Sequence, residues 1–96
     1  MFKSKKKRER TQMINEAMEW VGNKDIQEVC GIKPFTIYST YTGSDTYIIK
    51  IARGEKVCPI FIRADDYDDA RAKGKALISG YPGYHVGVRK IKRYCE

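Results

Sequence analysis

Long apolar runs are missing from this 96-residue chain. Mean hydropathy is −0.58, and no segment approaches the ~18 consecutive apolar residues of a membrane span. Residues 1–10 have a positive start but no apolar stretch behind it, so no secretory signal is expected and the cytoplasm is the expected location. Histidine occurs once and cysteine three times. Cys30, Cys58 and Cys95 contain no C-x-x-C spacing, and His85 is the sole histidine to join them, which excludes the usual zinc signatures. An odd cysteine number points to free thiols in a reducing compartment, with Cys30 and Cys58 packed as small hydrophobes and Cys95 near the chain end. P-loop and G-x-G-x-x-G patterns are absent, and Gly80, Gly83 and Gly87 are too widely spaced to cradle phosphate. No enzyme, metal or cofactor is therefore expected. The length holds one domain.

What the chain does have is positive charge in particular places. Nineteen Lys and Arg against twelve Asp and Glu give a net charge of +7. Residues 1–10 hold six basic side chains (Lys3, Lys5, Lys6, Lys7, Arg8 and Arg10) against Glu9. Residues 89–96 hold Arg89, Lys90, Lys92 and Arg93 against Glu96. The stretch between them, 11–88, carries nine basic and ten acidic residues, so the whole surplus lies at the two ends. Each cation placed near a phosphate releases a condensed counterion, which makes such blocks suited to a polyanion. The first ten residues read as a basic arm, unordered until a partner binds, and residues 11–96 as a single α+β domain.

Hydrophobic periodicity predicts the elements. Met13, Ile14, Ala17, Met18 and Val21 share one face of a helix over residues 4–21, ended by Gly22 and Asn23. Trp20, near that stripe, is expected in the core or an interface. Residues 24–30 suggest a short helical turn. Alternating β-branched and aromatic residues predict strands at 35–41, 46–53 and 57–63, joined by Thr42-Gly43-Ser44-Asp45 and Gly54-Glu55 as turns. Pro59 suggests an edge or a bulge in the third strand. A second helix over 66–79 packs through Tyr67, Ala70, Gly74, Leu77 and Ile78, with Gly74 allowing close approach to the sheet. Its start explains Asp65, Asp66, Asp68 and Asp69 as a cap and first turn rather than as metal ligands. A fourth strand covers 84–94, with a bulge or frayed end suggested by odd-numbered Ile91 after even-numbered Val86 and Val88. The expected fold is α+β: helix, three-stranded antiparallel meander, second helix and fourth strand, with both helices on one sheet face.

Seven tyrosines add a possible stacking surface. The loop Gly80-Tyr81-Pro82-Gly83-Tyr84-His85 feeds straight into the basic fourth strand, so Tyr84 and His85 join the terminal cations as candidate nucleic-acid contacts.

The helix–strand–strand–strand–helix order through Ser79 resembles that of a double-stranded-RNA-binding domain. That family's second helix begins with a phosphate-gripping basic cluster. Here it begins Asp65-Asp66-Tyr67-Asp68-Asp69, so the resemblance implies the element order and not the family's RNA mode. Residues 61–93 are also similar to strand–helix–strand halves of small ribosomal and phage accessory proteins. Size and charge are similar to phage host-takeover proteins, which implies a viral accessory or inhibitor role.

These features lead to a small basic nucleic-acid-binding protein, RNA ahead of DNA, acting through phosphate contacts. The alternative is a protein-binding inhibitor or adaptor, or a homodimer, using the helical stripe of Met13, Ile14, Met18 and Val21. A third option, an anionic-lipid surface binder, has Phe2 alone as its apolar anchor.

Overall fold

Residues 47–49 and 60–62 are apolar without interruption, so neither strand has a polar side to show to water, and both faces of their sheet need a cover. The structure, a computed structural model, describes residues 2–91, with side chains from Arg10 onward. Two helices and a mixed five-stranded sheet make an α+β fold: α1 (Phe2–Val21), β1 (Asp25–Ile26), β2 (Ile37–Tyr38), β3 (Asp45–Arg53), β4 (Lys56–Ala64), α2 (Tyr67–Leu77) and β5 (His85–Lys90). The sheet order is β1-β4-β3-β5, and β2 also pairs with β4.

The two helices cover opposite faces of the sheet, not the single face expected. Ile49, Ile51, Cys58, Ile60, Ile62 and Val88 join Ala70 of α2 in one core. Ile48 and Phe61 point the other way and join Ala17 of α1 in a second. Ile48 and Phe61 lie directly across from each other in the β3–β4 ladder, as do Ile49 and Ile60. Each such side chain, fully buried, contributes on the order of 1.5–3 kcal/mol. The same two-sided burial explains Ile91. No bulge interrupts β5, whose register with β3 runs unbroken from Ala52↔His85 to Tyr47↔Lys90. Val86 packs on the α2 side and Ile91 on the α1 side.

The expected three-stranded meander is also replaced. Of its members, only β3 and β4 pair antiparallel, through a tight turn in which Gly54 takes φ +62°. Residues 35–41 contribute just Ile37 and Tyr38, paired parallel to β4 at Phe61 and Ile62. Phe35 cannot extend that strand, because its φ is +64°. The expected helical turn at 24–30 is likewise a strand: β1 pairs parallel to β4 at Lys56 and Val57. Val29 and Ile32 then exchange two backbone hydrogen bonds around Cys30 and Gly31, both with positive φ, the geometry of a type I′ turn. Four strands, not three, thus separate the helices, and the order resembling a double-stranded-RNA-binding domain does not hold.

Pro59 accounts for the split between β1 and β2. It sits in the middle of β4, an interior strand, rather than at an edge. Gln27 N–H donates to the Val57 carbonyl, and Phe35 N–H donates to the Pro59 carbonyl. Between these bonds a continuous parallel partner would need an N–H from residue 59, which proline lacks. The chain leaves β4 there and returns beyond it.

Two glycines fix close approaches. A Cβ on Gly43 would run into the backbone of Ala64, where the β2–β3 connection crosses the end of β4. A Cβ on Gly74 would sit 2.9 Å from Val86 Cγ1 and 3.0 Å from Ile49 Cγ2, which confirms the close helix–sheet contact expected there. Tyr67 departs from the expected packed face of α2 and is half exposed.

Candidate nucleic-acid interface

The β5 strand carries three of the candidate contacts, His85, Arg89 and Lys90, and Tyr84 directly precedes it; its geometry divides them. Tyr84 and His85 lie at its start, beside the β3–β4 hairpin, since His85 pairs with Ala52. Arg89 and Lys90 lie at its other end, about 17 Å away at ~3.4 Å per residue. Neighbouring strand residues point to opposite faces, so these two cations also part from each other. Arg89 turns towards α1, where its Nε lies 3.6 Å from the Glu16 carboxylate, itself buried. Lys90 turns to the α2 side, 3.4 Å from Asp45. Both are thus ion-paired within the fold. Arg10 is exposed on α1. The side chains of Lys3, Lys5, Lys6, Lys7 and Arg8, together with Lys92 and Arg93, lie outside the described residues.

The segments leading to the two basic blocks do converge. Helix α1 ends near the hairpin, where Asp25 N–H donates to the Glu55 carbonyl at 2.9 Å. Its earlier residue Met13 lies at the opposite end of the sheet, in a cleft with Thr46, Phe61 and Arg63. Met13 and Ile14 pack on the Ala17–Ile48–Phe61 cluster, and so does Ile91. The Ile91 N–H donates to the Thr46 carbonyl at 3.1 Å. Residue 91, from which the second basic block continues, and residues 13–14, to which the first leads, therefore share one cluster on the α1 face.

That packing also uses up most of the apolar stripe of α1. Ala17 and Val21 are buried, Met13 and Ile14 are half-buried against the sheet, and Met18 alone of Met13, Ile14, Met18 and Val21 is exposed. Trp20 lies over β5, its ring edge 3.4 Å from where a Cβ of Gly87 would stand, and Lys50 Nζ sits 4.8 Å from its ring. It is a packing residue, occupied on the sheet side.

Around the hairpin the structure assembles a group that sequence spacing did not. Arg53 and Lys56 face each other as the last pair of the β3–β4 ladder. The Arg53 guanidinium stands 5.6 Å from the Tyr84 ring, and the Tyr81 ring meets Tyr84 edge-on at 6.5 Å and 82°. Arg53, Gly54, Glu55, Lys56 and Tyr84 line a cleft of about 540 Å³. The available signal was the turn itself: a two-residue Gly54-Glu55 connection necessarily sets Arg53 and Lys56 side by side.

A second polar group holds the opposite corner. Lys73 Nζ donates to the carbonyls of Thr42 (2.7 Å) and Arg63 (3.1 Å) and to Asp69 Oδ2 (2.9 Å). Arg63 donates twice to the Gly43 carbonyl. Asp66 caps α2 by accepting from Asp69 N–H, as expected. Asp69 in turn accepts from Asp65 N–H, and that bond, with the one from Lys73, holds its carboxyl below the usual carboxylate range. Asp65, Asp66 and Asp69 are engaged in capping and lashing, and no three His, Cys, Asp or Glu side chains among the described residues gather to hold a metal. No helix among them is long and apolar enough to cross a membrane.

No protein-family model, curated protein or solved structure matches this chain.

Proposed function

We propose that the protein binds a polyanion, nucleic acid with RNA ahead of DNA, through the cations of its two terminal blocks. The observation that carries this is the shared anchorage of Met13, Ile14 and Ile91 on the Ala17–Ile48–Phe61 cluster, which supports the two blocks, +5 and +3, acting on one stretch of ligand. Lys3, Lys5, Lys6, Lys7, Arg8, Arg10, Lys92 and Arg93 would supply the phosphate contacts, with Arg89 and Lys90 contributing what their Glu16 and Asp45 partners leave. Such contacts position a ligand without reading its sequence. RNA comes first because Tyr84 and His85 offer rings to unpaired bases, the usual targets of RNA recognition. The protein is then a binding module rather than an enzyme. The protein-docking alternative has weaker support, since Met18 is the one exposed member of its stripe.

Affinity for RNA and DNA oligonucleotides, measured from 50 to 200 mM salt, tests the proposal. A steep fall is expected, with a log–log slope of about −0.7 to −0.9 per phosphate neutralised. Replacing the cations of both blocks with glutamine should flatten that slope while circular dichroism stays unchanged. A flat slope for the parent, or an unaltered one for the variant, overturns it.

A further inference from the structure

We infer that the cleft beside the β3–β4 hairpin is a separate subsite for one unpaired nucleotide, with its base stacked on Arg53 and Tyr81 and its phosphate on Lys56. The inference rests on the nucleic-acid proposal but uses none of the terminal cations. Four features support it. The first is the arginine's position. Arg53 lies over Tyr84, and its Nε would stand 3.4 Å from a Cβ on Gly83, which places the side chain against the loop. An exposed arginine held over a ring by a cation–π contact still has surface to offer a base, and arginine planes stack bases as aromatic rings do.

The second is Tyr81. Its ring meets that of Tyr84, the tyrosine lining the cleft, edge-on, and it is 48% exposed. A half-exposed ring packed against a second ring loses little freedom when a base stacks on it. The third is charge. Arg53 and Lys56 are both exposed and directly cross-strand, and the charge of Glu55, which also lines the cleft, is paired with Lys24 at 3.8 Å. The fourth is room. A cleft of about 540 Å³ matches the usual size of small-molecule sites, roughly 300–1,000 Å³.

Rings and an arginine reach a base by stacking only when it is out of a helix, because a paired base hides both faces in its own stack. The site therefore selects single strands over duplex. It sits about 17 Å along β5 from Arg89 and Lys90, so the terminal blocks would hold the polymer and the hairpin cleft would hold one exposed base of it.

The probes are a 12-nucleotide uridine-rich single strand and an RNA duplex of equal phosphate number. The variants are Arg53→Lys, which keeps the charge and removes the plane, and Tyr81→Ala, with Tyr67→Ala on α2 as a control at an equally exposed tyrosine. Arg53→Lys and Tyr81→Ala are each expected to weaken single-strand binding about tenfold, with duplex binding, salt slope and melting temperature unchanged and Tyr67→Ala equal to the parent. Parent-like single-strand affinity in both variants overturns the subsite. Salt dependence reports on the terminal blocks separately: a steep slope with neutral variants leaves the terminal proposal standing and removes the subsite. A flat slope with weakened variants does the reverse.

Discussion

Arg89 on β5 and Glu16 on α1 form the ion pair that joins the edge of the sheet to the helix covering it, 3.6 Å apart, with the carboxylate side chain 7% exposed. A buried carboxylate loses most of its water and depends on such a partner. Arg89 therefore does two jobs if it also contacts phosphate, and its loss must be read with that in mind. Arg89→Ala is expected to destabilise the fold by about 1–3 kcal/mol, the range for taking a partner away from a buried polar group. Lys90→Ala, which removes a pair whose lysine is 59% exposed, should cost less than ~1 kcal/mol. Urea denaturation of the two single variants checks the contrast. Equal losses would mean that burial of Glu16 does not decide the strength of the pair.

Asp69 sets an acid limit on stability. Its carboxylate accepts from Asp65 N–H at 3.0 Å and from Lys73 Nζ at 2.9 Å, which lowers its folded pKa. The unfolded carboxyl titrates near ~3.9. Because the folded value lies below the unfolded one, this stabilisation is present above about pH 4 and is lost as pH falls through the folded pKa. Asp69→Asn should be less stable than the parent at pH 6, with the gap closing towards pH 2. Denaturant midpoints measured across that range provide the check, and a gap that stays constant with pH would assign the effect to packing instead.

The elements were legible where local chemistry dictates them. Asp66 followed by Asp69 marks the start of α2, Gly54-Glu55 marks the hairpin, and Gly74 marks the close helix–sheet contact; all three stand in the structure. Pairing partners were less legible. Nothing local says that residues 25–26 and 37–38 join the same side of β4 in parallel, because the deciding feature is the missing N–H of Pro59, twenty or more residues away. The two-sided sheet was visible and misread: unbroken runs at 47–49 and 60–62 state that both faces are buried, and with that in view Ile91 is no anomaly. At the candidate interface, charge counting finds the terminal blocks, but it cannot show that Arg89 and Lys90 are paired with Glu16 and Asp45. Nor does spacing alone bring Arg53, from one strand, onto Tyr84, thirty-one residues later.

Cys58 supplies the alkaline counterpart. Its thiol is fully buried, donates to the Ile32 carbonyl at 3.3 Å, and is pushed up to about 11, chiefly by burial. An unfolded cysteine ionises near ~8.5. The fold disfavours the thiolate, so stability from this group is intact below that unfolded value and is lost as pH rises towards 11. Reactivity follows the same physics, since the thiolate is the nucleophile. Alkylation by iodoacetamide at pH 8 should label the half-buried Cys30 well before Cys58. Labelling of Cys58 should require unfolding and accelerate sharply in urea near the transition midpoint. Peptide mass spectrometry over a time course separates the sites. Equal labelling rates for Cys30 and Cys58 in native buffer would show that the seam between the Val29–Ile32 turn and β4 opens without global unfolding, and that the Ile32 contact does not hold the turn down on the sheet.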